Sequence, residues 1–390
     1  MILNNNLSLE DNTIHKLLVI APYAVIPAET GGKIRVFELA KGLSKKNILV
    51  TVLMPASPGQ IFKKKINKNL FFKTIPYPFV LPFLFSEKPF SFLYLMSFHP
   101  GYRFLISDYL KSFDIIQFEG ASFGNLIDHI QSDKIVVYDA HNVEYDYEKS
   151  EHTSKLIREI SSNRIWKLEK KIAQRANKIL TCSDEDAARL SNIYEIDQDK
   201  CLFVPNGIHL PRQNKEKNGL EPKGNSLHFE SFSSRAIFSG SNAEHNRVAV
   251  KFIIEHVAPK LINNCAFIIQ GQCGKQFQNS QLSNVFFDTE PGNVGKYADI
   301  CNIALNPVTQ GSGTSLKVLD YLAHGLSVVS TNFGMRGYDQ LKKYVSLAEI
   351  DNFPERIQKA QPFDPEIYSI IEKYSWEKIT TELSQIYKFF

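Results

Sequence analysis

The most informative stretch of the sequence runs from residue 306 to residue 320 and reads NPVTQGSGTSLKVLD. A glycine-rich loop there follows an apolar run and leads into a segment with helical periodicity. Because backbone N–H groups at the start of a helix lack intrahelical partners, such a junction binds anions at little cost. We therefore predict a diphosphate site formed by small and polar residues, namely Ser312, Gly313, Thr314, Ser315 and Lys317.

Two charged side chains of this stretch share one helical face. Lys317 would add a compact positive charge to the phosphate site, and Asp320 would accept hydrogen bonds from ribose hydroxyls one turn away. The alternative is an exposed ion pair between Lys317 and Asp320, worth only about 0.3 kcal/mol. We favour the ligand site because a glycine-rich loop between strand and helix already suits a phosphate.

A pair of glycines, Gly31 and Gly32, opens the first helical stretch after the first apolar run. Residues without a Cβ let backbone N–H groups approach a phosphate or a sugar oxygen closely. A plain turn explains the same pair equally well. The pair is therefore a second candidate for ligand contact, with a structural alternative beside it.

Two further polar loops follow apolar runs. In DAHNVE, His141 can exchange a hydrogen bond with a sugar hydroxyl while Asp139 fixes the tautomer of its ring. In FSGSNAEHNR, Gly240 would line a nucleotide cleft and Arg247 would contact a phosphate. For both loops the alternative is a helix cap supplied by an Asp or Asn of the loop.

The elements that position these loops follow from hydrophobic periodicity. Short apolar runs alternate with helical stretches, which indicates strands buried on both faces of parallel sheets. The predicted strands cover residues 17–21, 48–53, 115–118, 135–138 and 179–182 in the first half, and 236–238, 266–270, 285–287, 303–305 and 328–330 in the second. We predict an α/β protein with two Rossmann-like domains, each a doubly wound parallel sheet.

A polar, breaker-rich segment at 208–234 separates the two halves. We predict an N-terminal domain over 1–207, a linker over 208–234 and a C-terminal domain over 235–375. The remaining residues, 376–390, have helical spacing and are expected to pack back on the N-terminal domain. A chain of 390 residues suits two domains of ordinary size.

Composition restricts the compartment and the partners. A net charge of +4 gives no reason to expect nucleic acid, and five cysteines without a CxxC pair indicate a reducing compartment. No secretory signal or membrane-spanning run is recognisable, so we expect a cytoplasmic protein. The segment 61–113 combines lysines with aromatic residues, which suits peripheral contact with an anionic membrane surface. An ordinary loop on the N-terminal domain is the alternative.

Five blocks in a fixed order resemble the retaining GT-B-fold enzymes of glycosyltransferase family 4. They are GGKIRVFELAKGL, YDAHNVE, CSDEDAARL with VPNGI, FSG with HN, and ALNPVTQGSGTSLKVLDYLAHGLSVVST with FGMRG. The resemblance implies a central cleft, a nucleotide-diphosphate sugar held by the C-terminal domain and a saccharide or lipid-linked acceptor held by the N-terminal domain. It also implies no metal, no cofactor besides the donor, and a role in cell-surface polysaccharide or glycolipid synthesis.

The resemblance further implies roles for single residues. Gly32 would lie near the phosphates or the transferred sugar, His141 would contact a sugar hydroxyl, Lys317 the diphosphate and Asp320 the ribose. His141 and Lys317 would take part in catalysis, Lys317 by stabilising charge that builds on the leaving phosphate. That phosphate would itself receive the proton of the acceptor. The family often carries two glutamates eight positions apart, where this chain has Ser312 and Asp320.

Other functions stay open at this stage. Because of Ser312 and Asp320, a catalytically silent sugar-binding or scaffolding subunit is the main alternative. An NAD-dependent dehydrogenase is disfavoured because no GxGxxG follows the first predicted strand. A sugar-nucleotide epimerase would differ in needing no second substrate. The sequence leaves the sugar, the nucleotide, the acceptor, the linkage and the oligomeric state undetermined.

Overall fold

A computed structural model describes residues 15–56, 62–76, 100–151, 155–211, 231–290, 292, 294–311 and 314–390. Within these residues the chain forms one sheet of eight strands and one sheet of six. The two sheets follow one another along the sequence. The α/β class with two parallel sheets, predicted from the alternation of apolar runs and helical stretches, is confirmed.

The first sheet has the strand order β3-β4-β2-β1-β5-β6-β7-β8. Its strands are β1 Lys16–Ile20, β2 Leu49–Ala56, β3 Lys63–Asn67, β4 Leu70–Pro76, β5 Ile115–Glu119, β6 Ile135–Ala140, β7 Lys178–Thr181 and β8 Cys201–Phe203. All neighbours pair in parallel except β3 and β4, which form an antiparallel hairpin at the edge. The hairpin lies within the segment that the sequence suggested as a membrane contact or a loop; residues 57–61 and 77–99 lie outside the described residues.

The second sheet is parallel throughout, with the order β11-β10-β9-β12-β13-β14. Its strands are β9 Ser234–Ser239, β10 Cys265–Gln270, β11 Val285–Asp288, β12 Ile303–Asn306, β13 Ser327–Ser330 and β14 Ser346–Leu347. Every predicted strand is present. Strands β3, β4, β8 and β14 were not predicted.

The helices of the described residues cover both faces of the sheets. They are α1 Gly31–Ser44, α2 Pro100–Ser112, α3 Glu144–Glu151, α4 Lys155–Arg175, α5 Asp184–Tyr194, α6 Glu244–Phe252, α7 Leu316–Ala323, α8 Phe353–Gln358, α9 Tyr368–Ile371 and α10 Trp376–Lys388. Side chains of β1 alternate between two cores, with Leu18 and Ile20 in one and Leu17 and Val19 in the other. This alternation is what a doubly wound sheet requires.

Helix α10 packs on the first sheet although it follows the second along the chain. Trp376, Ile379, Leu383 and Tyr387 are buried in the core that also contains α1. A Cβ on Gly42 would lie 2.4 Å from the Thr380 side chain, so only glycine permits this approach of α1 and α10. The limits of the domains and of the linker stay predictions, and residues 212–230 of the linker lie outside the described residues.

Within the described part of the chain, every helix is too short or too polar to cross a bilayer.

Candidate functional site

The loop after β12 and the start of α7 form the centre of the site. Strand β12 ends at Asn306 and α7 begins at Leu316. The Ser239 backbone N–H donates to the Tyr321 hydroxyl at 2.8 Å, which ties α7 to the end of β9. The N-terminus of α7 is thereby held at the carboxyl ends of the strands, where doubly wound sheets bind ligands. The predicted residues Ser312 and Gly313 lie outside the described residues.

Lys317 is the cation of this site. Its Nζ donates to Asn246 Oδ1 at 2.6 Å and lies 4.2 Å from the centre of the Phe238 ring. Burial lowers the pKa of the Lys317 ammonium to about 8. No ion pair joins it to a carboxylate among the residues described, and Asp320 Oδ1 instead lies 3.2 Å from His324 Nδ1. A buried ammonium without a carboxylate partner favours the binding of an anion.

Thr314 and Ser315 precede α7. Thr314 Oγ1 accepts hydrogen bonds from Asn206 Nδ2 at 2.9 Å and from the Tyr338 hydroxyl at 3.2 Å. The Ser315 side chain makes no capping hydrogen bond to the first turn of α7. The Val318 N–H donates to the Ser315 carbonyl at 3.0 Å, but the Ser315 side chain caps none of the first-turn N–H groups, which suits an anion site.

The loop after β9 meets Lys317 through Asn246. Asn246 Nδ2 donates to the Ser241 carbonyl at 3.2 Å, and a Cβ on Gly240 would lie 2.8 Å from Asn246 Cγ. The predicted Arg247 donates to the Asn242 carbonyl at 2.7 Å and also contacts Glu244. The structure brings Gly240 and Asn246 to Lys317, while the phosphate contact of Arg247 stays a prediction. The alternative that Asn246 caps this helix is wrong, because the N-cap residue of α6 is Ala243 and no side chain caps the helix.

A buried ion pair lies at the carboxyl ends of the first sheet. The guanidinium of Arg35 binds the Asp139 carboxylate with two nitrogens, Nε at 3.0 Å and Nη2 at 2.8 Å, and both side chains are buried. Arg35 Nη1 also donates to the Val204 carbonyl at 2.9 Å and to Asn206 Oδ1 at 3.3 Å. Asp139 is thus a structural partner of Arg35, 104 residues away in sequence.

The expectation that Asp139 fixes the ring of His141 is wrong. The nearest Asp139 carboxylate oxygen is 3.9 Å from His141 Nε2, whereas Glu119 Oε2 lies 2.8 Å from the same nitrogen. Glu119 is the last residue of β5, and β5 pairs with β6 so that Glu119 stands beside Asp139. Because Arg35 binds both oxygens of the Asp139 carboxylate, the imidazole of His141 hydrogen-bonds to the neighbouring Glu119 carboxylate instead.

The two glycines at the start of α1 lie between the two halves of the site, one around Lys317 at the second sheet and one around His141 at the first sheet. A Cβ on Gly32 would lie 3.2 Å from His141 Nδ1 and 3.0 Å from the Tyr23 hydroxyl. A Cβ on Gly31 would lie 3.6 Å from Leu316 Cδ1, so the N-termini of α1 and α7 face each other. The buried Tyr23 hydroxyl has no hydrogen-bond partner among the described residues. The absence of a side chain at Gly32 lets the start of α1 approach His141 and Tyr23 closely.

Asn206 joins the two halves. Its amide oxygen accepts from Arg35 and its amide nitrogen donates to Thr314, so the buried ion pair is linked to the loop before α7. Asn206, Glu119 and Tyr23 were not predicted as site residues. Asn206 stands in the VPNG sequence. Glu119 directly follows the predicted strand 115–118, and this position at a strand end is the signal that could have identified it.

Glu119, Asp139 and His141 are also close enough for one cation, with ligand atoms within 4.8 Å of one another. Both Asp139 oxygens already accept hydrogen bonds from Arg35, and Glu119 accepts from Gln117 at 2.5 Å. A cation would have to compete with a guanidinium for these oxygens. The cluster is therefore explained by its own ion pair and hydrogen bonds.

Comparison with known proteins identifies the family. The sequence matches Glycosyltransferase Family 4 over residues 30–212 and Glycosyl transferases group 1 over residues 233–359. No curated protein matches the chain in a sequence comparison. The chain belongs to glycosyltransferase family 4, whose members are retaining enzymes that use nucleotide-sugar donors and typically need no metal.

Solved structures share the GT-B fold at low sequence identity. Sucrose-phosphate synthase from Thermosynechococcus elongatus superposes with a TM-score of 0.72 at 13% identity, covering 96% of this chain and 98% of that one. Anabaena HepE, in complex with UDP and glucose, gives a TM-score of 0.62 at 12% identity, with 96% and 100% covered. WaaG, a glycosyltransferase involved in lipopolysaccharide biosynthesis, gives 0.58 at 16% identity, with 95% and 94% covered.

Because the ion pair of Arg35 with Asp139 is buried, we expect Asp139→Asn to lower the free energy of unfolding much more than Asp128→Asn, a substitution at the surface. Asp139→Asn leaves a buried guanidinium without its counter-charge and is expected to lower the free energy of unfolding by about 3 kcal/mol or more. Asp128→Asn removes a similar pairing with Lys171 at the surface and should cost less than about 1 kcal/mol. Urea denaturation measures both, and equal losses would contradict the structural role of Asp139.

Proposed function

We propose that the protein binds the diphosphate of its donor between the N-termini of α7 and α1 and transfers the sugar to a saccharide or lipid-linked acceptor. The observation that carries the proposal is Lys317, a desolvated ammonium with no carboxylate partner among the described residues, at the start of a helix. Both features favour a multiply charged anion. Because Gly31 faces α7, the first domain can close on the same ligand.

The catalytic contribution of Lys317 follows from where charge develops. As the bond from the anomeric carbon to the diphosphate breaks, negative charge grows on the leaving phosphate oxygen. Lys317 and the N–H groups of α7 would stabilise that charge more in the transition state than in the ground state. The same oxygen would accept the proton of the attacking hydroxyl, as the resemblance to retaining enzymes implies.

The remaining predicted residues take supporting roles in this proposal. His141, with its Nδ1 beside Gly32, would bond a hydroxyl of the transferred sugar. Asp320 would bind the ribose, for which its half-exposed side chain is available beside His324. Gly240, Thr314 and Ser315 line the approach to the phosphates.

The donor to test first is UDP-glucose. HepE, which has the same fold, was solved with UDP and glucose. Donors with guanosine and with other sugars belong in the same panel, because the sequence specifies neither the nucleotide nor the sugar. Binding of a donor without turnover, whichever acceptor is offered, would instead favour a catalytically silent subunit. Ser312 and Asp320, which replace two glutamates common in the family, are the reason for this alternative.

Lys317→Ala tests the proposed diphosphate site. UDP-glucose or another donor of the panel is expected to raise the melting temperature of the wild-type protein and not that of the variant. Turnover should fall by roughly 100- to 1,000-fold, the usual effect of losing one preorganised group at a developing charge. Lys251→Ala, which removes an exposed lysine of α6, is the control and should behave as wild type.

The pH dependence of donor affinity separates this role from a general loss of structure. Lys317 has a pKa of about 8 in the free protein, and the diphosphate binds its protonated form. As the pH rises above that value, affinity should fall by up to about tenfold per pH unit. Titration calorimetry measures it. A wild-type affinity that stays constant well above the Lys317 pKa, or a variant that binds donor normally, would contradict the site.

We also infer that the acceptor side meets an anionic membrane. Lys63, Lys64 and Lys65 are exposed on the edge strand β3, where Lys63 and Lys65 lie over the Phe71 ring at 5.8 and 5.6 Å. On neighbouring α2, Phe104 is 79% exposed. Lysines beside exposed aromatic side chains suit an anionic lipid surface. This favours a lipid-linked acceptor, the inner face of a membrane, and a role in cell-surface polysaccharide or glycolipid synthesis.

Replacement of the three β3 lysines by glutamine tests the membrane proposal. Each lysine near an anionic surface contributes about 1 kcal/mol, so the triple variant should bind phosphatidylglycerol vesicles roughly 100-fold more weakly. A matched variant with glutamine at the exposed Lys251, Lys260 and Lys359 should bind as wild type. Vesicle sedimentation measures both. Equal binding by the two variants, or wild-type binding to pure phosphatidylcholine, would overturn the proposal.

A further inference from the structure

A line of buried hydrogen bonds joins the last helix of the chain to His141. The Tyr387 hydroxyl of α10 donates to Gln117 Oε1, and Gln117 Nε2 donates to Glu119 Oε1 at 2.5 Å. Glu119 Oε2 then lies 2.8 Å from His141 Nε2. Tyr387, Gln117 and Glu119 are at most 2% exposed, so solvent cannot replace these bonds.

Each bond in the line fixes the direction of the next. Burial raises the pKa of Tyr387 well above its ordinary value, so the phenol keeps its proton and donates. Because the Gln117 amide oxygen accepts this hydrogen bond, the amide nitrogen faces Glu119 as a donor. In its ionised form, Glu119 accepts from Gln117 on one oxygen and from His141 Nε2–H on the other.

The consequence is a single tautomer for His141. With the hydrogen on Nε2, the other ring nitrogen, Nδ1, is an acceptor, and this nitrogen is the one beside Gly32. In the proposed function the sugar hydroxyl approaches from that side. An acceptor nitrogen there holds the hydroxyl by its hydrogen and leaves the hydroxyl oxygen free for other donors.

We propose that Tyr387, Gln117 and Glu119 are positioning residues that hold His141 in the Nε2–H tautomer for sugar binding. The inference rests on the proposed function of His141 and adds to it a role for α10. Helix α10 follows the second sheet in sequence but packs on the first sheet. A helix at the end of the chain would thus orient His141, which lies at the first sheet. The simpler alternative is that Tyr387 only fills the core beside Leu383.

The pH response of Glu119 gives the proposal a measurable signature. Burial and the nearby Asp139 carboxylate raise the pKa of Glu119, while hydrogen bonds from His141 and Gln117 lower it. The titratable and charged groups that face it are Asp139, His141, Tyr23, Arg35, Cys182 and Tyr387. Without the Tyr387 hydroxyl the Gln117 amide can turn, and Glu119 loses a donor. Its pKa should rise further, so activity should fall at a higher pH on the acid side.

The test compares Tyr387→Phe with Tyr374→Phe in the full-length protein. Tyr374 is a second buried tyrosine whose hydroxyl has no hydrogen-bond partner among the described residues, so its loss should change nothing. Nitrogen-15 spectra of labelled histidines report the tautomer directly, and His141→Gln assigns the signal. Wild type should show the Nε2–H form, and Tyr387→Phe a mixture of both tautomers.

The kinetic result should accompany the spectroscopic one. Tyr387→Phe should lower kcat by about fivefold, the effect of one buried hydrogen bond. The acid limb of the pH profile of kcat should move to higher pH, and the KM for the donor should change little. Gln117→Met, which keeps the side-chain length and removes the amide, should displace the tautomer in the same direction. It serves as the second variant if Tyr387→Phe fails to fold.

Unchanged histidine signals in both Tyr387→Phe and Gln117→Met would overturn the proposal, as would a changed tautomer with an unchanged kcat and acid limb. The spectra also separate this failure from that of the proposed function. A wild type that turns over no nucleotide sugar would contradict the function, while the tautomer measurement would still decide whether Tyr387 acts on His141.

Discussion

The site depends on one buried ion pair, between Arg35 of α1 and Asp139 at the end of β6. Burial opposes the charge of the guanidinium, but the Asp139 carboxylate raises the pKa of Arg35 above its ordinary value. The attraction within a buried ion pair offsets the cost of desolvation only when further hydrogen bonds satisfy the two groups. Here the Val204 carbonyl and the Asn206 side chain accept hydrogen bonds from Arg35. The pair thereby fixes the start of α1 against two strand ends of the first sheet.

The rest of the site follows from that constraint. With Asp139 engaged, Glu119 is left to hold His141, and Asn206 carries the link across to Thr314 before α7. The N-termini of two helices then face one another, with Lys317 on one side and an imidazole on the other. This arrangement suits a ligand with a diphosphate at one end and a sugar at the other, as expected for a family 4 glycosyltransferase.

Continuous apolar runs predicted the parallel strands, and the rule that ligands bind at strand ends pointed to His141 and Lys317 before any contact was known. The partner of His141 was missed, because strand register places Glu119 beside Asp139 and Arg35 competes for one of them from far along the chain. The edge strand β3 was missed because Lys63–Asn67 is not apolar. Such contacts depend on tertiary packing, which local patterns do not contain.

Hydrogen–deuterium exchange with and without UDP tests most directly whether α7 and α1 together hold the nucleotide diphosphate. Amide hydrogens within 314–323 and 31–35 should both exchange more slowly when UDP is bound, because the ligand would take up the free N–H groups of the two helix starts. Protection confined to other strand ends, or protection of 314–323 alone with no change at 31–35, would contradict a donor site shared by the two halves.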